Sequence, residues 1–126
     1  MKRMIPLLLS FLLLTGCGGN SADATYQQID QEAAKEMMDT QEVIILDVRE
    51  QDEYDSGHIP GAVLLPVGTI AEDTAAEAIP EKDSTVLVYC RSGNRSKTAS
   101  SALAELGYTN IYEFGGINTW PYDTEP

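Results

Sequence analysis

Unbroken apolar runs alternate along the chain with amphipathic stretches, which predicts that strands and helices take turns. Residues 43–46 and 86–89 are apolar runs with β-branched members, and such runs are typical of strands buried on both faces of a parallel sheet. Shorter strand patterns occupy residues 26–29, 62–65 and 110–114. The sequence therefore predicts about five strands.

Helices are predicted between these strands. Asp30 is a candidate N-cap for the first helix, residues 50–56 and 69–79 have the patterns of short helices, and Gly107 ends a helix that follows the fourth strand. This alternation predicts an α/β fold with a mostly parallel, about five-stranded sheet and helices on both faces. In such sheets, ligands bind beyond the carboxyl ends of the strands.

The first residues do not share this pattern. Lys2 and Arg3 precede an apolar stretch at residues 4–14, which is about as long as a signal-peptide core and too short to span a bilayer. The stretch leads into Leu-Thr-Gly-Cys, ending at Cys17. This tetrapeptide resembles the bacterial lipobox, in which lipid is attached to the cysteine and cleavage makes that cysteine the new N-terminus.

From this resemblance we expect an exported protein, anchored to a cell membrane by lipid on Cys17 and facing the periplasm or the cell exterior. Residues 1–16 are then a lipoprotein-type signal peptide, residues 17–25 are the lipidated Cys17 and a flexible tether, and residues 26–126 are one folded domain. An uncleaved signal, or ordinary cleavage next to an incidental cysteine, is the alternative.

The charge of the chain limits the classes of partner that it can bind. Twenty acidic residues outweigh eight basic ones, for a formal charge of −12. This balance argues against nucleic acid or anionic lipid headgroups as the main partner, since either needs a basic footprint. Two cysteines are too few for a disulfide framework, and one histidine is too few for a Cys/His zinc site. A monomer is the default expectation.

The segment at residues 90–96, Cys-Arg-Ser-Gly-Asn-Arg-Ser, carries the strongest chemical signal. It follows a predicted buried strand and opens a predicted helix, and at such a turn successive backbone N–H groups converge on one point. Aimed at the sulfur of Cys90, they stabilise the thiolate, which is the reactive form. Gly93 lets the backbone curl closely around it. We therefore predict that Cys90 is a nucleophile.

Basic residues are concentrated in this segment. Arg91, Arg95 and Lys97 are half of the six basic residues that follow the signal-like stretch, and a local cationic site in an acidic protein points to a small anionic substrate. Asp47 ends the other buried strand, so the topology predicts that Asp47 and Cys90 are neighbours in one site.

Short motifs follow one another in a specific order: Asp47-Val48-Arg49-Glu50, Glu53-Tyr54, Gly57-His58-Ile59-Pro60-Gly61-Ala62, the Cys90 loop, and Gly115-Gly116-Ile117 with Trp120. In these motifs the chain resembles the rhodanese-like domains over about a hundred residues, from Tyr26 onward. The resemblance implies a rhodanese-like fold and a sulfurtransferase.

The resemblance also implies a mechanism. The Cys90 thiolate takes the outer sulfur from thiosulfate or another small anionic donor, holds it as a persulfide, and passes it to a thiol, cyanide or protein acceptor. No metal and no organic cofactor is needed. Arg91 and Arg95 neutralise the donor and its leaving group, and the sulfur is cradled by the backbone amides of Arg91, Ser92, Gly93, Asn94, Arg95 and Ser96.

Other residues of the motifs are expected to support the site. Asp47 orients the loop or a cationic side chain, or else caps the next helix. Arg49 and Glu53 have the i, i+4 spacing of an ion pair. His58 is expected to be a hydrogen-bonded turn residue and not a general base, and Trp120, after a turn at Gly115-Gly116, is expected to pack. Tyr89 and Ser92 are candidates for ligand contact.

Two alternatives stay open. A carrier or binding module would hold sulfur on Cys90 for a dedicated partner, with little turnover on free thiosulfate. A phosphatase or arsenate reductase of the same fold would have one more residue in the loop. Only four residues separate Cys90 from Arg95, and this shorter loop disfavours the larger phosphate.

Overall fold

The computed structural model describes residues 25–126. The predicted signal peptide at residues 1–16, the lipid on Cys17 and all of the tether except Thr25 lie outside the described residues. No helix within residues 25–126 has the length and apolarity that crossing a membrane requires.

Five strands and four helices alternate along the described part of the chain. In order they are β1 (Gln27–Gln28), α1 (Gln31–Thr40), β2 (Ile44–Asp47), α2 (Gln51–Ser56), β3 (Val63–Leu64), α3 (Glu72–Ala78), β4 (Val86–Cys90), α4 (Asn94–Glu105) and β5 (Ile111–Gly116), with single 3₁₀ turns at Val67–Thr69 and Ile117–Thr119.

The strands form one sheet in the order β1-β5-β4-β2-β3, and each pair of neighbours is parallel. The central strand β4 pairs on both sides, with Leu87 between Ile45 of β2 and Tyr112 of β5. The predicted parallel sheet is confirmed. Because the strands are parallel, β2 and β4 both end at the same edge.

Helices cover both faces of the sheet, as predicted. Every residue of β4 is buried, and its side chains alternate between two hydrophobic clusters. Val86, Val88 and Cys90 pack with residues of α3 and α4. Leu87 and Tyr89 pack with residues of α1 and α2 on the other face. An unbroken apolar run was therefore a reliable sign of a strand with two buried faces.

The first helix begins as predicted, but the helix predicted at residues 69–79 is interrupted. Asp30 caps α1 by accepting a hydrogen bond from the backbone of Ala33 at 2.8 Å. The hydroxyl of Thr74, in the first turn of α3, accepts from the backbone N–H of Ala71 at 2.9 Å and donates to the carbonyl of Thr69, the last residue of the 3₁₀ turn, at 2.7 Å. This local bonding competes with a continuous helix.

Strand β5 extends further than predicted, and the turn expected at Gly115-Gly116 is wrong. After a shift of register, Gly116 lies opposite Cys90 in the sheet. A Cβ at position 116 would overlap the carbonyl of Arg91 and crowd Ser92. The glycine is therefore required for the close approach of β5 to the loop after β4.

Candidate active site

The sulfur of Cys90 lies at the carboxyl end of β4, beneath the loop that leads into α4. Cys90 is 1% exposed. The backbone N–H of Gly93 donates to Sγ at 3.0 Å, and the hydroxyl oxygen of Ser96 lies 3.4 Å from Sγ. Gly93 has a φ of +105°, a left-handed conformation that favours glycine, so the loop can bend its amides toward the sulfur.

This environment favours the thiolate. Burial raises the pKa of the Cys90 thiol, but hydrogen bonds outweigh burial and hold that pKa below its ordinary value. The donors are the Ser96 hydroxyl and the backbone N–H groups of Ser96, Gly93 and Ser92. The positive end of the α4 dipole acts in the same direction. The site can therefore present an anionic sulfur nucleophile.

The predicted cradle residues occupy two different environments. Gly93 and Ser96 are buried against the sulfur, while Arg91, Ser92 and Asn94 are exposed. The carbonyl of Arg91 accepts a hydrogen bond from the backbone N–H of Asn118 at 3.1 Å, and this bond fixes the start of the loop to the chain after β5. Within residues 25–126 the Arg91 guanidinium forms no ion pair, which leaves its charge available to a ligand.

Arg95 is already paired. Its guanidinium donates to both carboxylate oxygens of Glu53, at 2.8 and 2.9 Å. This bond is the main cause that lowers the pKa of Glu53 to about 2 and raises the pKa of Arg95. The predicted pair of Arg49 with Glu53 is therefore wrong. Glu50 is the N-cap of α2, so Arg49 precedes the helix and the i, i+4 geometry does not apply.

Arg49 bonds instead to Asp47. Its guanidinium contacts the two carboxylate oxygens at 2.9 and 2.7 Å, and the hydroxyl of Tyr89 donates to Asp47 at 2.6 Å. Burial and the bond to Asp47 raise the pKa of Tyr89. Of the roles expected for Asp47, it therefore orients a cationic side chain; the N-cap of the next helix is Glu50.

Asp47 and Cys90, which were predicted to be neighbours in one site, lie at adjacent strand ends but on opposite faces of the sheet. Asp47 is paired in register with Tyr89, so the two side chains lie on the same face of the sheet, whereas that of Cys90 projects to the other face. The adjacent strand ends were predicted correctly. Successive side chains of a strand point to opposite faces, however, so the sheet separates the Asp47 carboxylate from the Cys90 thiol. Tyr89 is fully buried in the Asp47 network, which excludes direct ligand contact in this conformation.

His58 and Trp120 have structural environments. The His58 ring stacks on Tyr54 with centroids 3.8 Å apart, and its Nδ1 lies 2.9 Å from the Tyr54 carbonyl oxygen. The backbone of His58 pairs with that of Glu125. Trp120 packs on Phe114, with centroids 5.5 Å apart. These contacts agree with a turn residue and a packing residue, respectively.

Sequence reasoning missed a buried carboxylate behind the thiol. Glu113 of β5 is 3% exposed and accepts hydrogen bonds from the Ser96 hydroxyl at 2.5 Å, the Gly115 backbone at 3.0 Å and the Gln28 side chain at 3.2 Å. The sequence did contain a sign of this carboxylate. Glu113 and Ile111 are two positions apart in a predicted strand, so they share a face of that strand, and a residue on a buried face is usually apolar.

Comparisons with known proteins identify similar chains. A family model described as a rhodanese-like domain matches residues 30–121. The chain is 39% identical over 72 residues to the thiosulfate sulfurtransferase PspE of Escherichia coli, covering 57% of this chain and 68% of PspE. It is 34% identical over 96 residues to the thiosulfate sulfurtransferase GlpE of Coxiella burnetii, covering 75% of this chain and 87% of GlpE.

A further relative and a solved structure extend the comparison. The putative sulfur carrier protein YrkF of Bacillus subtilis is 32% identical over 121 residues, which cover 94% of this chain and 64% of YrkF. A structure described as a rhodanese with anions from E. coli superimposes with a TM-score of 0.62 at 32% identity, covering 67% of this chain and 98% of the other. The resemblance thus covers the sheet, the helices and the loop after β4.

Proposed function

Because the chain belongs to the rhodanese-like domain family, we propose that it is a sulfurtransferase that acts through a persulfide on Cys90. Membership confirms the rhodanese-like fold predicted from the sequence, and relatives named thiosulfate sulfurtransferase support this kind of activity. The observation that carries the proposal is the buried sulfur of Cys90 with an amide hydrogen bond at 3.0 Å.

The chemistry divides into two transfers. In the first, the Cys90 thiolate attacks the outer sulfur of thiosulfate; an S–S bond forms, the bond of that sulfur to the sulfonate breaks, and sulfite leaves with the electron pair. The second transfer regenerates the thiolate when a thiol, cyanide or protein acceptor attacks the outer sulfur. Negative charge is present on sulfur in both resting forms, and the loop amides stabilise it in place.

A small anion fits the charge at the mouth of the site. Arg91 is exposed beside the loop, and thiosulfate and sulfite both carry negative charge that its guanidinium can neutralise. Arg95 lies close enough to Cys90 for the sulfur charge to act on it, but its charge is already paired with the Glu53 carboxylate through two of its N–H groups. We therefore propose that Arg91, before Arg95, contacts the anionic sulfur donor. The related E. coli structure is described as holding anions.

The test of this function is steady-state formation of thiocyanate from thiosulfate and cyanide. We expect multiple turnovers by the parent and none by Cys90→Ser. Intact-mass measurement after exposure to thiosulfate alone should show one added sulfur on the parent, and none on the variant. A parent protein that gains no sulfur contradicts the proposal.

A sulfur carrier is the second candidate, because YrkF, whose match covers 94% of this chain, is named a putative sulfur carrier protein. The same assay separates the two. A carrier transfers one sulfur per Cys90 to cyanide and then stops, whereas a transferase continues until the donor is consumed.

Membrane attachment through lipid on Cys17 is a separate part of the proposal, supported by the Leu-Thr-Gly-Cys sequence after an apolar stretch. In this proposal the protein is an exported, lipid-anchored enzyme that faces the periplasm or the cell exterior. Intact-mass analysis of the protein extracted from membranes should show loss of residues 1–16 and added acyl chains. A water-soluble protein that keeps residues 1–16 contradicts it.

A further inference from the structure

The mechanism above leaves one buried ionisable group without a role. Glu113 lies on β5 beneath the start of α4, and its Oε2 is 2.5 Å from the hydroxyl oxygen of Ser96. The Ser96 hydroxyl oxygen is also 3.4 Å from the sulfur of Cys90. A continuous path of thiol, hydroxyl and carboxyl groups therefore leads from the nucleophile into the interior.

The Ser96 hydroxyl has one hydrogen, although the Glu113 carboxyl, the sulfur and the carbonyls of Gly93 and Gly115 are all within 3.4 Å. An O···O distance of 2.5 Å is that of a strong O–H···O bond, so one hydrogen lies between Ser96 and Glu113.

When Cys90 and Glu113 share a single negative charge, two arrangements place a hydrogen on both the Ser96–Cys90 and the Ser96–Glu113 contacts. If Glu113 is ionised, Ser96 donates to it, and Cys90 must then donate its thiol hydrogen to Ser96. If Cys90 is a thiolate, Ser96 turns its hydrogen toward the sulfur, and Glu113 must supply the hydrogen on the short bond. The charge of the sulfur and the protonation of Glu113 are therefore linked.

We propose that Glu113 accepts the proton of Cys90 through Ser96. The S–H bond breaks as its proton passes to the Ser96 oxygen, and the former hydroxyl proton forms a new O–H bond with Oε2 of Glu113. A thiol and a carboxylate become a thiolate and a carboxylic acid, so no charge enters or leaves the interior. The inference deepens the proposed function, because it identifies the group that activates its nucleophile.

The surroundings of Glu113 favour this transfer. Besides Ser96 of α4, its polar neighbours are the Gln28 side chain of β1 and the backbone of Gly115, both neutral. Within residues 25–126 no cation pairs with Glu113. Arg95, the cation of α4 that lies close to Cys90, bonds to Glu53 and not to Glu113. A buried carboxylate without a cation is costly, so protonation relieves that cost while the loop amides stabilise the thiolate.

The decisive experiment measures the rate of Cys90 alkylation by iodoacetamide against pH, with no sulfur donor present. For the parent we expect a plateau of reactivity between about pH 5 and 7, because internal proton transfer does not depend on solvent pH. Glu113→Gln keeps the side-chain shape but takes no proton. Its rate should fall at least about tenfold at pH 6 and rise about tenfold per pH unit, as for an isolated thiol. Exposed Glu36→Gln is the control and should match the parent.

Other outcomes overturn the relay. A carboxylate that acts only through its charge repels the thiolate, so Glu113→Gln would then react faster than the parent at neutral pH. A carboxylate that only holds the fold would give a folded variant with the parent's profile. Ser96→Ala interrupts the path and should also lose the plateau; if the plateau persists, the relay is wrong.

A second readout uses the parent alone, in case Glu113→Gln does not fold. The infrared spectrum of the parent at neutral pH should contain the C=O stretch of a protonated buried carboxyl, and alkylation of Cys90 should change it, because the sulfur is then no longer a thiolate to which Ser96 donates. A spectrum without this change contradicts the relay. Since neither measurement uses thiosulfate, failure of the relay and failure of sulfur transfer are distinguishable.

Discussion

At the scale of single residues, the geometry of the loop depends on Gly116 of β5, which lies opposite Cys90. A Cβ there overlaps the carbonyl of Arg91, and the same carbonyl accepts from Asn118. Any side chain at position 116 must therefore push the loop away from the sheet. The loop amides that hold the sulfur would move with it.

We expect Gly116→Ala to slow alkylation of Cys90 at neutral pH by about tenfold, since about one pKa unit of thiolate stabilisation is lost with the displaced amides. Overpacking should also lower the free energy of unfolding by about 1–3 kcal/mol. Gly68→Ala is the matched control, because a Cβ at Gly68 meets nothing within 4 Å. A Gly116→Ala variant that alkylates at the parent's rate contradicts this account of the loop.

At the scale of elements, the pair of Glu53 and Arg95 ties α2 to α4 across the mouth of the site. Glu53 has a pKa of about 2 in the folded chain, against an ordinary value of 4.5. A pKa that is lower in the folded state means that the ionised group stabilises the fold above pH 4.5, and that this contribution disappears as the pH falls toward 2.

We therefore expect Glu53→Gln to lower the free energy of unfolding at pH 7 by on the order of 1–2 kcal/mol, as for a partly buried ion pair. The difference from the parent should shrink between pH 4.5 and pH 2, measured by urea unfolding. Glu72→Gln removes an exposed pair with Lys82 and should change stability little. A difference that is the same at pH 7 and pH 2 would refute the assignment.

Local sequence patterns predicted the elements well where one physical cause dominates. Apolar runs located β2 and β4, and Asp30 located the start of α1, because burial and capping depend on neighbouring residues. Patterns failed where partners are distant along the chain. Glu53 bonds to Arg95, 42 positions away, and Arg49, which precedes α2, bonds to Asp47 instead. The position of Glu113 behind Cys90 depends on the register of β5 against β4, which no local spacing encodes.

At the scale of the whole molecule, the chain has a formal charge of −12, whereas the Arg91 guanidinium at the site forms no ion pair within residues 25–126. The net charge repels an approaching anion over a distance set by the Debye length, which is about 30 Å at 0.01 M salt and about 8 Å at 0.15 M. Arg91 acts at shorter range, where screening is weaker. Salt should therefore suppress the repulsion more than the attraction.

This predicts that moderate salt favours anionic reagents. The ratio of Cys90 alkylation rates with iodoacetate and with iodoacetamide, two reagents of similar size, should rise about threefold from 0.01 to 0.15 M salt. Changes in thiol ionisation cancel in the ratio. Arg91→Ala should lower the ratio at both salt concentrations, while Lys97→Ala, farther along α4, should lower it less. A ratio that falls with salt in the parent would show that local attraction dominates.

Because the strands are parallel, they all begin at one edge of the sheet and end at the opposite edge, where Cys90 lies. Gln27, where β1 begins, pairs with Tyr112 beside Leu87, three positions before Cys90, or about 10 Å along the strand direction. The chain thus enters the sheet behind the thiol. A support or fusion partner joined directly at Thr25 therefore adjoins the edge of the sheet at which the strands begin, and immobilisation there leaves the loop over Cys90, at the opposite edge, accessible to incoming reactants.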